Sequence, residues 1–300
     1  MNPRQQLLAY FRHEREDPPS PQVAFTGPTP HIIGLNVPVC ERPMRGGGYD
    51  VFGVHWTASE PAGHYTPGQE PIYHDIETWR DEVRFPQMDR FDWSGLEQQA
   101  ASIDRSKKLV AATLLVGPFE RTTCLTRFED CLVNALLSPE DFSDLIGAIA
   151  DYKIALIERI WEIAHPDVIN LHDDWGTSNS TFMSADLWRE TIKPHTKRMY
   201  DAIHSRGMLV CQHSCGAVGP LVGDMVEMGC DAWEAQGDCN GCNCNDIPVL
   251  QAQYGDRLRI LVGPPVQPGK RVRSLPEGVD PADVTQWAPD YEDVATFLYG

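Results

Sequence analysis

The sequence predicts an α/β protein built on a parallel sheet. From about residue 109 onward, short apolar runs alternate with helix-period segments across short loops, the pattern of βαβ units. Polar and metal-ligating residues concentrate where the apolar runs end, and in parallel barrels chemistry sits at the carboxyl ends of strands. About six strands can be read, whereas a closed barrel needs eight. Taken alone, the pattern fits a TIM-type (β/α)8 barrel short of its last strand or an open doubly wound sheet.

In order, Pro3 to His13 reads as an opening helix, and Gln22–Phe25 as a strand closed by Thr26-Gly27-Pro28. Residues 27–108 read as an N-terminal cap or irregular segment over the carboxyl face of a single domain, 1–300. Leu109–Val116 is a buried strand ending at Gly117-Pro118. A helix is expected near Phe128–Leu137. Another should start at Ser138-Pro139-Glu140-Asp141, with Ser138 as N-cap, Asp141 closing a capping box, and apolar residues at helical spacing to Ala164. His165-Pro166 ends it, and Val168–Leu171 is a strand. Ser184 caps the next helix, which Pro194 kinks or splits in two, and Gly207 closes it. Strands follow at Met208–Gln212, Cys230–Glu234 and Leu258–Val262. Helices are expected at Ala217–Met228, Ile247–Tyr254 and Asp283–Leu298. The chain stops at Gly300 where a further strand is due, so a C-terminal continuation is expected.

The net charge of −18 is spread along the chain, which disfavours nucleic acid, anionic membrane and strongly polyanionic substrates as partners. No apolar run spans a bilayer and no secretory signal opens the chain. Nine cysteines, an odd number, then read as reduced thiols of a cytoplasmic protein. Dinucleotide fingerprint, P-loop and nucleophile elbow are absent.

Three strand ends carry chemistry. His213 and Cys215 stand two residues apart, so a strand persisting to Cys215 points both at one ion. Gly216 lets the chain turn beyond them. His172-Asp173-Asp174 leaves the preceding strand, and paired carboxylates suit acid–base work; Asp173, nearer the strand, is the preferred functional group. Glu234-Ala235-Gln236 closes a third, with Glu234 a metal ligand or substrate contact. One of Cys239, Cys242 and Cys244 could complete a site begun by His213 and Cys215. All three could form their own site or be loop thiols.

Taken together, Asp50–Trp56, Asp174-Trp175-Gly176-Thr177, Trp188-Arg189-Glu190 with Pro194, His213-Ser214-Cys215-Gly216, Gly229-Cys230-Asp231 and Tyr254–Leu258 resemble the uroporphyrinogen decarboxylase superfamily, and within it the zinc-dependent corrinoid methyltransferases. The resemblance implies a TIM-type barrel with zinc on His213 and Cys215. It implies a small-molecule methyl donor or acceptor and a corrinoid supplied by a partner protein. The family's further cysteine, expected near the C-terminus, has no counterpart here. Either a C-terminal continuation holds that cysteine as the third ligand, or Glu234, Cys239, Cys242 or Cys244 substitutes for it. Asp173 and Glu234 are expected to be catalytic, and His55, Trp56, His172, Asp174 and Gln236 to bind substrate. The alternatives are a metal-free decarboxylase, which in this family carries an arginine-rich motif that Arg42 and Arg45 do not reproduce, and a non-catalytic binding module.

Overall fold

The computed structural model describes residues 1–16, 31–43, 47–59, 64–68, 70–235 and 244–262. Its strands are β1 (Ile32–Gly34), β2 (Gly48–Tyr49), β3 (His55–Ser59), β4 (His64–Pro67), β5 (Leu109–Leu114), β6 (Val168–His172), β7 (Leu209–Ser214), β8 (Ala232–Ala235) and β9 (Arg259–Val262). The α-helices are α1 (Pro3–Phe11), α2 (Trp79–Glu82), α3 (Ser94–Ser102), α4 (Pro118–Leu125), α5 (Phe128–Leu137), α6 (Pro139–Ala164), α7 (Ala185–Thr191), α8 (Lys193–Ser205), α9 (Val222–Met228) and α10 (Ile247–Tyr254). Among them none is long and apolar enough to cross a membrane.

Six strands form one parallel sheet in the order β1-β5-β6-β7-β8-β9. Each crossover steps to the next position in the same direction. A doubly wound sheet reverses its order at a switch point, and this one does not, so the architecture is TIM-type. Side chains alternate as the pleat requires. Leu109, Ala111, Val168, Leu209, Cys211 and Ala232 face Leu7 and Phe11 of α1, which plugs the amino end of the sheet. Their neighbours Val110, Ala112, Ile169, Leu171, Val210 and Trp233 pack outward beneath the helices. This parity decides which residues of each strand end look into the barrel.

Several expectations hold. Ser184 caps α7 by accepting from the Leu187 N–H at 3.2 Å, and the Pro194 region divides α7 from α8. Others change. The capping box at Ser138 does not form, because Ser138 is the single joint between α5 and α6; its N–H ends α5 on the Asn134 carbonyl and its side chain makes no cap bond. Pro139, with its preset φ, starts α6 instead. β1 lies within the segment read as a cap, yet it pairs in parallel with β5, Ile32 opposite Leu109. At three residues, flanked by Pro28, Pro30 and Pro38, it carries little strand signal. The β7 ladder runs through Ser214, two residues beyond the expected end, and so includes His213. Gln22–Phe25 and Asp283–Leu298 lie outside the described residues.

Between β5 and the long α6, the chain inserts α4 and α5 at the carboxyl end. The antiparallel sheet β2-β3-β4 is tied to this insertion by buried charge. Asp50 accepts from the Phe52 and Val54 N–H groups, from Trp56 Nε1 and from Arg121 of α4. Arg121 also donates to the Glu41 carbonyl, while Lys153 of α6 grips the Glu41 carboxylate.

Candidate metal centre

Register builds the site. His172 on β6 stands opposite His213 on β7, and His213 opposite Glu234 on β8, one row across the carboxyl end of the sheet. Inward parity continues from Cys211 to His213 and from Ala232 to Glu234. On β6 it selects Asn170 and His172. The His172 and His213 rings stack at 4.3 Å between centroids and 13° between planes. His213 Nδ1 faces Glu234 Oε2 at 3.0 Å, and Asn170 Nδ2 reaches that same oxygen from below at 3.5 Å. On its other edge, His213 Nε2 lies 3.3 Å from Cys215 Sγ and 3.8 Å from Asp174 Oδ1.

Loop stitching holds Asp174 and Cys215 there. The Cys215 N–H donates to Asp174 Oδ1 at 2.6 Å, the Trp175 N–H to Ser214 Oγ at 3.0 Å, and the Ala217 N–H to the Thr177 carbonyl at 2.7 Å. Gly216 makes this closure at φ +88°, and a Cβ there would lie 2.2 Å from the Gly176 carbonyl oxygen. Gly216→Ala is therefore expected to cost about 3 kcal/mol and to separate the two loops. Chemical denaturation checks it; a loss below about 0.5 kcal/mol contradicts the tight approach.

Ligand atoms of His172, Asp174 and His213 all lie within 4.8 Å of one another, a trio able to hold a metal ion. With the neighbouring Cys215 thiol, the donors are two imidazoles, a carboxylate and a sulfur. That set fits a borderline divalent cation such as zinc. Glu234, one of the expected third ligands, meets His213 through the nitrogen turned away from Cys215 and Asp174. Asp174 and His172, expected to contact substrate, are the residues gathered with His213. Cys244 stands beside Asn245, which clamps the turn by bonding the Gly216 carbonyl and the Gly219 N–H at 2.8 and 2.9 Å. Cys239, Cys242 and Gln236 lie outside the described residues.

Asp173 is placed differently from its expected catalytic position. One residue out of phase with His172 and Asp174, it accepts from the Phe119 and Glu120 N–H groups at the start of α4 and from Trp175 Nε1. It borders a small cavity with Lys153, Met199 and Gln212, between sheet and helices. Burial, then the charge of Glu120, pushes its carboxyl up to about 7. These contacts make it the fastening of α4. His55 is exposed and lies against Tyr49 at 4.8 Å. Trp56 is buried with Asp50, under the Arg42 guanidinium at 5.8 Å. Trp56 sits in a buried cluster with Phe52, Trp79, Val116 and Leu125, and the charge of Arg42 acts to lower both Glu120 and His172.

Sequence reasoning missed Glu120, whose Oε2 meets His172 Nδ1 at 2.9 Å. The available signal was Pro118, a proline suited to the first position of a helix, so that Gly117-Pro118 begins α4 as well as ending β5. Burial pushes Glu120 up, but the charge and hydrogen bond of His172, with Arg42 and His213, leave it lowered. Burial pulls His172 down, and the charge and hydrogen bond of Glu120, with Asp174, raise it from 6.5 to about 9. A raised histidine pKa stabilises the fold fully below its unfolded value and loses that contribution as pH rises. Metal-free protein should therefore lose roughly 3 kcal/mol between about pH 6.5 and 9, shared by the pair. Urea unfolding across that window checks it. Glu120→Gln should flatten the slope; a slope equally steep in that variant contradicts the pairing.

The fold and this cluster define a TIM-type α/β protein with a metal-capable site at the carboxyl ends of its strands. The family model for uroporphyrinogen decarboxylase (URO-D) matches residues 64–242, more than half of the chain, and the protein belongs to that family. A methyltransferase from Methanosarcina mazei superposes with a TM-score of 0.57 at 15% identity, over 77% of this chain and 63% of that one. At that identity the likeness shows the fold, and this chain spans less than two thirds of that protein's length. A glycosylated endo-β-1,4-xylanase from Gloeophyllum trabeum aligns at a TM-score of 0.36 and 13% identity, over 58% of this chain and 55% of that one, too slight a likeness to bear on function. No curated protein matches the sequence.

Proposed function

We propose that the protein is a zinc-dependent methyltransferase that moves a methyl group between a small molecule and a corrinoid carried by a partner protein. The observation that carries this reading is the approach of Cys215 Sγ to His213 Nε2 at 3.3 Å, beside Asp174, in a URO-D barrel. The fold shared with the Methanosarcina mazei methyltransferase supports it. Zinc bound there would act as a Lewis acid, activating a thiol or polarising the atom that gives up the methyl group. His213 and Cys215 would hold it, Asp174 would stand beside them, and Glu234 would keep His213 oriented. The candidate substrates are methyl ethers, methylamines, methanol, thiols and a folate.

Charge argues against the decarboxylase of the family's name. A substrate bearing many carboxylates would meet Glu120, Asp174 and Glu234 around the two histidines, on a chain of net charge −18. The test is zinc analysis of purified protein, followed by methyl transfer from methylcob(III)alamin to a thiol, or from a methyl donor to cob(I)alamin. Stoichiometric zinc with transfer supports the reading. Folded protein without zinc sinks it, and bound zinc without transfer to or from cobalamin favours a binding module.

A further inference from the structure

We propose that Glu120 and Glu234 are matched positioning residues, each fixing one of two stacked histidines so that His172 and Asp174 join His213 and Cys215 as ligands to one ion. This rests on the reading of the cluster as a metal centre, and it extends the ligand set beyond the His213–Cys215 pair.

Each ring has its Nδ1 engaged by a carboxylate, His172 by Glu120 at 2.9 Å and His213 by Glu234 at 3.0 Å. The ring nitrogen left for a metal is then Nε2 in both. A carboxylate on one ring nitrogen sets the tautomer, fixes the ring plane and strengthens the other nitrogen as a ligand. The two rings are held 13° from parallel by neighbouring strands in register. Ligand atoms around one zinc stand about 3.3 Å apart in a tetrahedron with bonds of about 2.0–2.1 Å. One ligand atom of each of His172, Asp174 and His213 already lies within 4.8 Å of the others, so drawing the trio onto one ion asks for side-chain rotation rather than movement of the strands. Neither carboxylate is free to drift. The Glu120 N–H is anchored on Asp173 at 2.9 Å, and Glu234 Oε2 is met by Asn170 from below. Asp173 thereby acts on the site through α4.

The test measures zinc affinity by competition with a chromophoric chelator, on full-length protein whose folding is checked by circular dichroism. Glu120→Gln and Glu234→Gln should each weaken zinc by about 10–100-fold without unfolding. His172→Ala should weaken it further and change the visible ligand-field bands of the cobalt(II)-substituted protein. It should leave the thiolate-to-cobalt charge-transfer band, which Cys215→Ser removes. If Glu120→Gln unfolds, Glu120→Asp and His172→Gln read the same dyad. Wild-type affinity and unaltered cobalt bands in the His172 variants overturn the proposal while leaving the His213–Cys215 reading intact. Zinc bound as described here without methyl transfer overturns the functional reading alone. Wild-type protein that binds no zinc overturns both.

Discussion

His213→Ala is expected to abolish stoichiometric zinc binding and to lower methyl transfer by roughly 10²–10³-fold or more. Glu234, Cys215, Asp174 and the His172 ring all converge on this one side chain. Removing it takes away a ligand and also leaves Glu234 buried without its imidazole partner. The double variant His213→Ala/Glu234→Gln separates these effects. It should recover stability relative to His213→Ala, because the buried charge deprived of its imidazole is gone, and recover none of the zinc. Inductively coupled plasma analysis with urea unfolding reads both. Stoichiometric zinc in His213→Ala would place the metal elsewhere.

Arg121→Met is expected to give the largest loss of stability, roughly 3–5 kcal/mol. Both members of the Arg121–Asp50 pair are fully buried, and the neighbouring Lys153–Glu41 pair is almost so. Asp50 is the hub of the β2-β3 region, so removing Arg121 strands a buried carboxylate where the N-terminal segment meets α4. Replacing both partners, Asp50→Asn with Arg121→Met, should restore a good part of the loss, since an ion pair removed whole is far less costly than one broken. Urea unfolding of the two variants checks this. A loss under about 1 kcal/mol in Arg121→Met would mean that the pair behaves as an exposed one. The same variant should loosen Trp56 and with it Arg42, the cation whose charge bears on His172 and Glu120.

The sheet from β5 onward was legible because its strands are apolar on both faces and are separated by amphipathic helices with clear stops. β1 was not, since its three residues depend on β5 for their pairing. At the site, His213 and Cys215 could be singled out because both ends of the motif are close in sequence. The row His172–His213–Glu234 could not, because it depends on the stagger of three strands. Asp173 and Asp174 show a finer point of phase. Strand alternation runs past the end of β6, so His172 looking inward brings Asp174 inward and turns Asp173 out. The carboxylate nearer the strand, Asp173, thus fastens α4, and the next one, Asp174, stands with His213. Glu120 was hidden for another reason: it reaches His172 only because Asp173 fastens α4, a tertiary contact across 53 residues.

The most direct measurement is X-ray absorption at the zinc edge of the wild-type protein. Cys215 with His172, His213 and Asp174 predicts one sulfur at about 2.3 Å and a dominant shell of nitrogen and oxygen at about 2.0–2.1 Å, with imidazole scattering beyond it. Two or more sulfurs would bring a second cysteine into the site and contradict a centre in which His172 and Asp174 complete the ligands begun by His213 and Cys215.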